Sequence, residues 1–92
     1  MNDLNKLINE IISEDQEIRE EIELLDLKYK LIDELINFRK SYKLSQAEFA
    51  DMIKVKQQMI SRFEKGEVDP KLSFISKILH GMNKEINIRS KI

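Results

Sequence analysis

Gln57 and Gln58, followed by Ser61 and Arg62, are the residues of this chain best suited to chemistry, and that chemistry is recognition rather than reaction. A glutamine amide carries a donor and an acceptor side by side, so it can bond an adenine edge bidentately. An arginine can read guanine or hold a phosphate. By itself a Gln-Gln pair is an ordinary solvated face. What gives it meaning is the run around it, LSQAEFADMIKVKQQMISRFEKG from Leu44 to Gly66.

Ser45, with Glu48 three residues on, reads as a capping box that starts a helix running to about Ile53. Its inward residues are Phe49, Ala50 and Ile53, and Ala50 is small enough to let two helices cross closely. Lys54 and Val55 form the turn. In the second helix Ile60 and Phe63 face inward at i, i+3, which leaves Lys56, Gln57, Gln58, Ser61 and Arg62 on the outer face. Gly66 closes that helix, where a left-handed residue is wanted. Two short helices across a tight turn, the second with a polar face, make a helix-turn-helix of the kind that enters the DNA major groove.

The chain has 92 residues, 41% hydrophobic and 36% charged, with two Gly and one Pro, which predicts a compact all-α fold. It has no Cys, so disulfides and thiolate metal sites are excluded and a reducing, cytoplasmic setting is expected. No apolar run approaches membrane-spanning length, and the amino terminus carries no signal pattern.

The formal charge of −1 hides a division. Residues 1–28 carry nine acids against three bases, a net −6, and residues 29–92 carry thirteen bases against eight acids, a net +5. The domains implied are an acidic arm, 1–28, and a basic helix-turn-helix domain, 29–92, with a tail from 84 to 92; such asymmetry suggests two different partners. The arm is not a disordered tail. Leu4, Leu7, Ile8 and Ile11, then Ile18, Ile22 and Leu25, keep helical spacing. Ser13 with Gln16 reads as a second capping box that breaks the arm into two helices, and Asp26 as the cap of the helix leading to Arg39. The apolar stripe needs a cover: its own domain, a second copy, or a different protein bound in helix-in-groove mode.

Beyond Gly66, Asp69-Pro70 predicts a helix with Pro at its first position. Leu72, Ile75, Ile78 and Leu79 form its apolar face, and Gly81 its stop. Lys84 to Arg89 alternates polar and apolar, the pattern of a short C-terminal strand, which would need a partner outside the chain or else fray. The one histidine, His80, reads as a residue favourable at a helix end, with no nucleophile or second histidine placed to make a catalytic or metal site. Glu14, Asp15 and Glu17 read as a solvated helix face rather than metal ligands. Neither an enzyme nor a cofactor is expected.

The chain resembles the lambda-repressor-like Xre group of helix-turn-helix regulators over about residues 30 to 80. Arg39, the run Leu44 to Ala50, the run Ile60 to Gly66 and Pro70 carry the likeness. The resemblance implies a partly buried ion pair between Arg39 and Glu64, a phosphate contact from Gln46, and base contacts from Gln57 and Gln58. In a dimer on a palindromic operator, Lys43, Ser45 and Lys56 would join Gln46 in fixing register through phosphates, while Ser61 or Arg62 would add base contacts. Two positions depart from the family pattern. Lys54 replaces a preferred glycine and must accept positive φ, and Lys56 replaces the usual Ser or Thr cap.

The helical extension and short tail are similar to those of HigA-type antitoxins. That likeness implies a homodimer that represses its own operon and neutralises a basic, RelE-like ribonuclease toxin of the HigB type. The acidic arm, with Leu4, Leu7, Ile8, Ile11, Ile18, Ile22 and Leu25, would then be the toxin-binding element. The alternatives are a stand-alone Xre-type repressor and a protein-interaction module that has lost DNA binding.

Overall fold

The computed structural model describes residues 3–90, the side chains of 3 and 11–14 excepted. The described residues form helices α1 (Asp3–Glu14), α2 (Gln16–Ser41), α3 (Gln46–Ile53), α4 (Gln57–Glu64) and α5 (Leu72–Gly81), and among them there is no strand. The chain divides into two compact units, one ending at Lys30 and the other beginning at Leu31.

The first unit has the expected helix break near Ser13, but the break falls at Asp15 and Asp15 is the residue that caps the next helix. The Asp15 carboxylate accepts from the backbone N–H of Glu17 at 2.9 Å and of Ile18 at 3.2 Å, so Asp15 is the cap of α2. Aspartate caps as well as serine does, and its charge also favours a helix N-terminus. Ser13 lies within α1, its side chain outside the described residues, and the Gln16 amide donates to Glu20 instead of serving a capping box. Asp26 caps nothing either. It sits inside α2 and pairs with Lys30 one turn on at 2.9 Å, because the surrounding residues contain no Gly or Pro to halt propagation.

In the second unit α3 packs against both α4 and α5. Ile32 and Leu35 of α2, Phe49, Ala50 and Ile53 of α3, Ile60 and Phe63 of α4, and Phe74, Ile75, Ile78 and Met82 fill the core. Full burial of each large side chain contributes about 1.5–3 kcal/mol. Edge-on ring contacts, Phe38 on Phe49 at 5.9 Å and Phe63 on Phe74 at 5.6 Å, fix how the helices roll.

The last helix corrects the sequence reading in three places. It starts at Leu72 with Lys71 as an N-cap that makes no side-chain cap bond, so Pro70 precedes the helix. Leu72 is 83% exposed, and Phe74 takes its place in the core. The helix does end at Gly81, but Gly81 is its last helical residue and does not take the left-handed geometry. A Cβ there would run into the Ile53 side chain and come within 3.1 Å of the Phe49 ring, so glycine is required by close packing. The left-handed residue is Asn83, at φ 55°. Among the described residues the tail beyond it forms no strand and finds no ladder to join; Lys84 is instead tied to the Glu34 carboxylate.

Helices α2 to α5 all end alike. Lys43, Lys54, Gly66 and Asn83 have positive φ, and the next residue's N–H bonds back to a carbonyl five positions earlier: Leu44 to Arg39, Val55 to Ala50, Glu67 to Arg62 and Lys84 to Leu79, at 2.8–3.0 Å. This is the Schellman closure, and three of its four left-handed positions hold residues with a Cβ. Left-handed geometry costs such a residue about 1–2 kcal/mol, partly offset by the chain entropy that glycine adds to the unfolded state. Lys54→Gly is therefore expected to raise stability by about 0.5–1 kcal/mol in urea denaturation. A loss would show that Lys54 is unstrained.

Candidate nucleic-acid interface

The interface is assembled around one carboxylate. Glu64, the last residue of α4, accepts from Arg39 Nε at 2.7 Å and Nη2 at 2.6 Å, a bidentate pair whose side chains are 15% and 7% exposed. Arg39 Nη1 also donates to the Leu44 carbonyl at 3.1 Å, and Gln46 Nε2 donates to Glu64 at 3.0 Å. Hydrogen bonding to Glu64 raises the already high pKa of Arg39, against the opposing effect of burial. One acid thus joins the end of α2, the following loop, the first residue of α3 and the end of α4.

Ser45 begins α3 through a complete capping box. Its hydroxyl accepts from the Glu48 N–H at 3.0 Å, and the Glu48 carboxylate accepts from the Ser45 N–H at 2.8 Å. The backbone bond from Ser45, then its hydroxyl, holds the Glu48 carboxyl below its ordinary range. Both the backbone N–H and the hydroxyl of Ser45 are thus engaged with Glu48 before either can serve a phosphate. Lys54, at φ 60° and ψ 48°, makes the turn, and Lys56 opens α4 with no side-chain cap bond.

On α4 the inward residues are Ile60 and Phe63; Lys56, Gln57, Gln58 and Arg62 are exposed and Ser61 is half-buried. Among the described residues neither Gln57 nor Gln58 spends its amide on an intramolecular bond, so both can meet a base edge. Arg62 lies 3.9 Å from Glu67 in an exposed pair, which holds it at about 0–1 kcal/mol and leaves it available. Lys43 is exposed at the end of α2, while Gln46, half-buried, has one amide proton left for a phosphate.

Sequence reasoning missed Lys71 and Lys77. With Arg62, Asp69, Met59 and Phe74 they line an open depression beside α4, three cations and one acid gathered from a helix, a loop and another helix. No local spacing reveals that grouping.

A helix-turn-helix family profile matches residues 35–88. The chain belongs to the Xre-like helix-turn-helix family. An uncharacterized HTH-type transcriptional regulator of Haemophilus influenzae is 39% identical over 69 residues, which cover 75% of this chain and 70% of that protein. Antitoxin HigA1 of Mycobacterium tuberculosis, matched in two strains, is 34% identical over 86 residues, which cover 94% of this chain and 58% of that protein. No solved structure matches the chain significantly. As an Xre-like protein it is a DNA-binding regulator by family. Among the described residues no helix is long and apolar enough to cross a membrane, and no acid or histidine cluster suits a metal ion.

In this Xre-like frame, breaking the Arg39–Glu64 pair from one side leaves a charge stranded. Glu64→Ala should lower stability by about 3–5 kcal/mol in chemical denaturation. A drop smaller than half of that would mean that the pair relaxes into solvent and does not hold α4.

Proposed function

We propose that this chain is an antitoxin that represses its own operon and neutralises a basic ribonuclease toxin of the RelE-like, HigB type. Two copies would place their α4 helices in successive major grooves, about 34 Å apart, on a palindromic operator. Gln57, Gln58 and Ser61 or Arg62 would read bases, with Lys43, Ser45, Gln46 and Lys56 on phosphates. The observation that carries the toxin half is the acidic unit ending at Lys30, whose Leu4 (61%), Leu7 (53%) and Leu25 (47%) stand exposed. Ile8 and Ile22 are also exposed, Ile18 is half-buried, and the Ile11 side chain lies outside the described residues. A stripe of apolar residues flanked by nine acids suits a basic partner, since charge steers the encounter and burial holds the complex. The similarity to Antitoxin HigA1 supports the same reading.

Gel shifts at graded salt test the DNA half. Gln57→Ala should cost about 1–3 kcal/mol of operator binding and relax preference at one base pair, whereas Lys43→Ala should weaken all duplexes alike and flatten the salt slope by about one. Unchanged preference in Gln57→Ala would remove α4 as the reading helix.

Co-expression with the product of the adjacent reading frame tests the toxin half. Rescue of growth together with co-purification is the expected outcome. A neighbour that neither arrests growth nor co-purifies would leave a stand-alone repressor.

A further inference from the structure

The apolar residues of the first unit lie on more than one side. At 100° per residue, Ile18, Ile22, Leu25 and Tyr29 follow one stripe along α2, and Leu24 and Leu27 fall nearly opposite it. Both sides are open: Ile22 is 38%, Leu25 47% and Tyr29 49% exposed, while Leu24 and Leu27 are 55% and 50% exposed. Charged bands separate them, with Arg19, Glu23, Asp26 and Lys30 on one flank and Glu17, Glu21 and Lys28 on the other, and Glu20 lies between Leu24 and Leu27. A helix resting on a flat surface buries one stripe. Two opposed stripes require cover from two directions.

Neither obvious source within the protein supplies it. Helix α1 is joined to α2 through Asp15 alone, and an antiparallel helical hairpin needs a loop of about 2–5 residues, so α1 cannot fold back along α2. A second copy would bring another segment of net charge −6 against the first. The net charge of −6 over residues 1–28 calls for a basic cover, and the leucines for an apolar one.

We infer that a single basic protein encloses this part of α2, contacting Ile22, Leu25 and Tyr29 on one side and Leu24 and Leu27 on the other. The inference rests on the proposed role of the acidic unit in partner binding. It goes further by making the contact two-sided.

Paired alanine variants of the full chain test it, because alanine keeps the helix and these side chains are exposed in the free protein. The probe is the purified product of the adjacent reading frame, titrated by calorimetry, with helicity by circular dichroism and operator binding as controls. Ile22→Ala with Leu25→Ala, and separately Leu24→Ala with Leu27→Ala, should each weaken binding by at least about tenfold. Undiminished binding by the Leu24/Leu27 pair overturns enclosure while leaving the acidic unit as the site. Failure of the unaltered chain to bind removes the parent reading and the enclosure with it. A homodimer of the free chain that either pair dissociates in sedimentation would make the cover a second copy, which also overturns the proposal.

Discussion

The bidentate contact between Arg39 and Glu64 determines what the rest of the DNA-facing surface can be. A buried ion pair is tolerable only when its remaining polar atoms are satisfied, and here the Leu44 carbonyl and the Gln46 amide complete the set. No buried side-chain nitrogen or oxygen among the described residues is left without a partner. Because Glu64 ends α4, holding its carboxylate fixes the rotation of that short helix about its axis. A helix of eight residues has little propensity-driven stability of its own, so its direction comes from this clamp and from the burial of Ile60 and Phe63. The same clamp limits Gln46, whose amide serves the carboxylate before it can serve a phosphate.

Compactness between helices rests on a repeated closure. Four helices end in the same back-bonded turn, and those closing α2 and α3 place lysines in the left-handed position. Glycine would fit both with less strain. At Lys43, however, it would remove a cation proposed to hold DNA, so local strain and a surface charge are traded against each other. At Lys54 the strain sits in the turn between α3 and α4, where only three residues, Lys54 to Lys56, separate the two helices.

Much of this was legible in the sequence, and the misses have physical causes. The α3–turn–α4 segment could be read because cap, inward residues and turn agree at every level: Ser45 with Glu48, then Phe49, Ala50 and Ile53, then Ile60 and Phe63. The cap of α2 was misplaced because Ser13 and Asp15 are chemically equivalent capping residues two positions apart, and only the hydrogen bonds of the folded chain separate them. Spacing alone puts Leu72 in the core, but it is the first residue of α5 and stands exposed, while Phe74 packs beside Ile75 and Ile78. Gly81 looked like a stop, but the need for it comes from α3, far away in sequence. Leu24 and Leu27 are not legible as part of a binding face, because the periodicity of one amphipathic stripe discards residues on the other side. The tail's alternation is a pattern for pairing, and pairing is a property of two segments.

The split of charge between the two units follows from the different physics of their proposed partners. DNA affinity comes chiefly from counterion release by cations, so a basic surface is needed there and an acidic segment would be repelled from it. Residues 1–28 offer the reverse, acids around leucine and isoleucine, where the binding energy would come from removing apolar area from water. Merging the two surfaces would cancel both, because the acids would neutralise the cations that phosphates require. A nearly neutral chain assembled from strongly opposed parts keeps each field intact, and the sum of −1 is therefore a poor guide to what either part can hold.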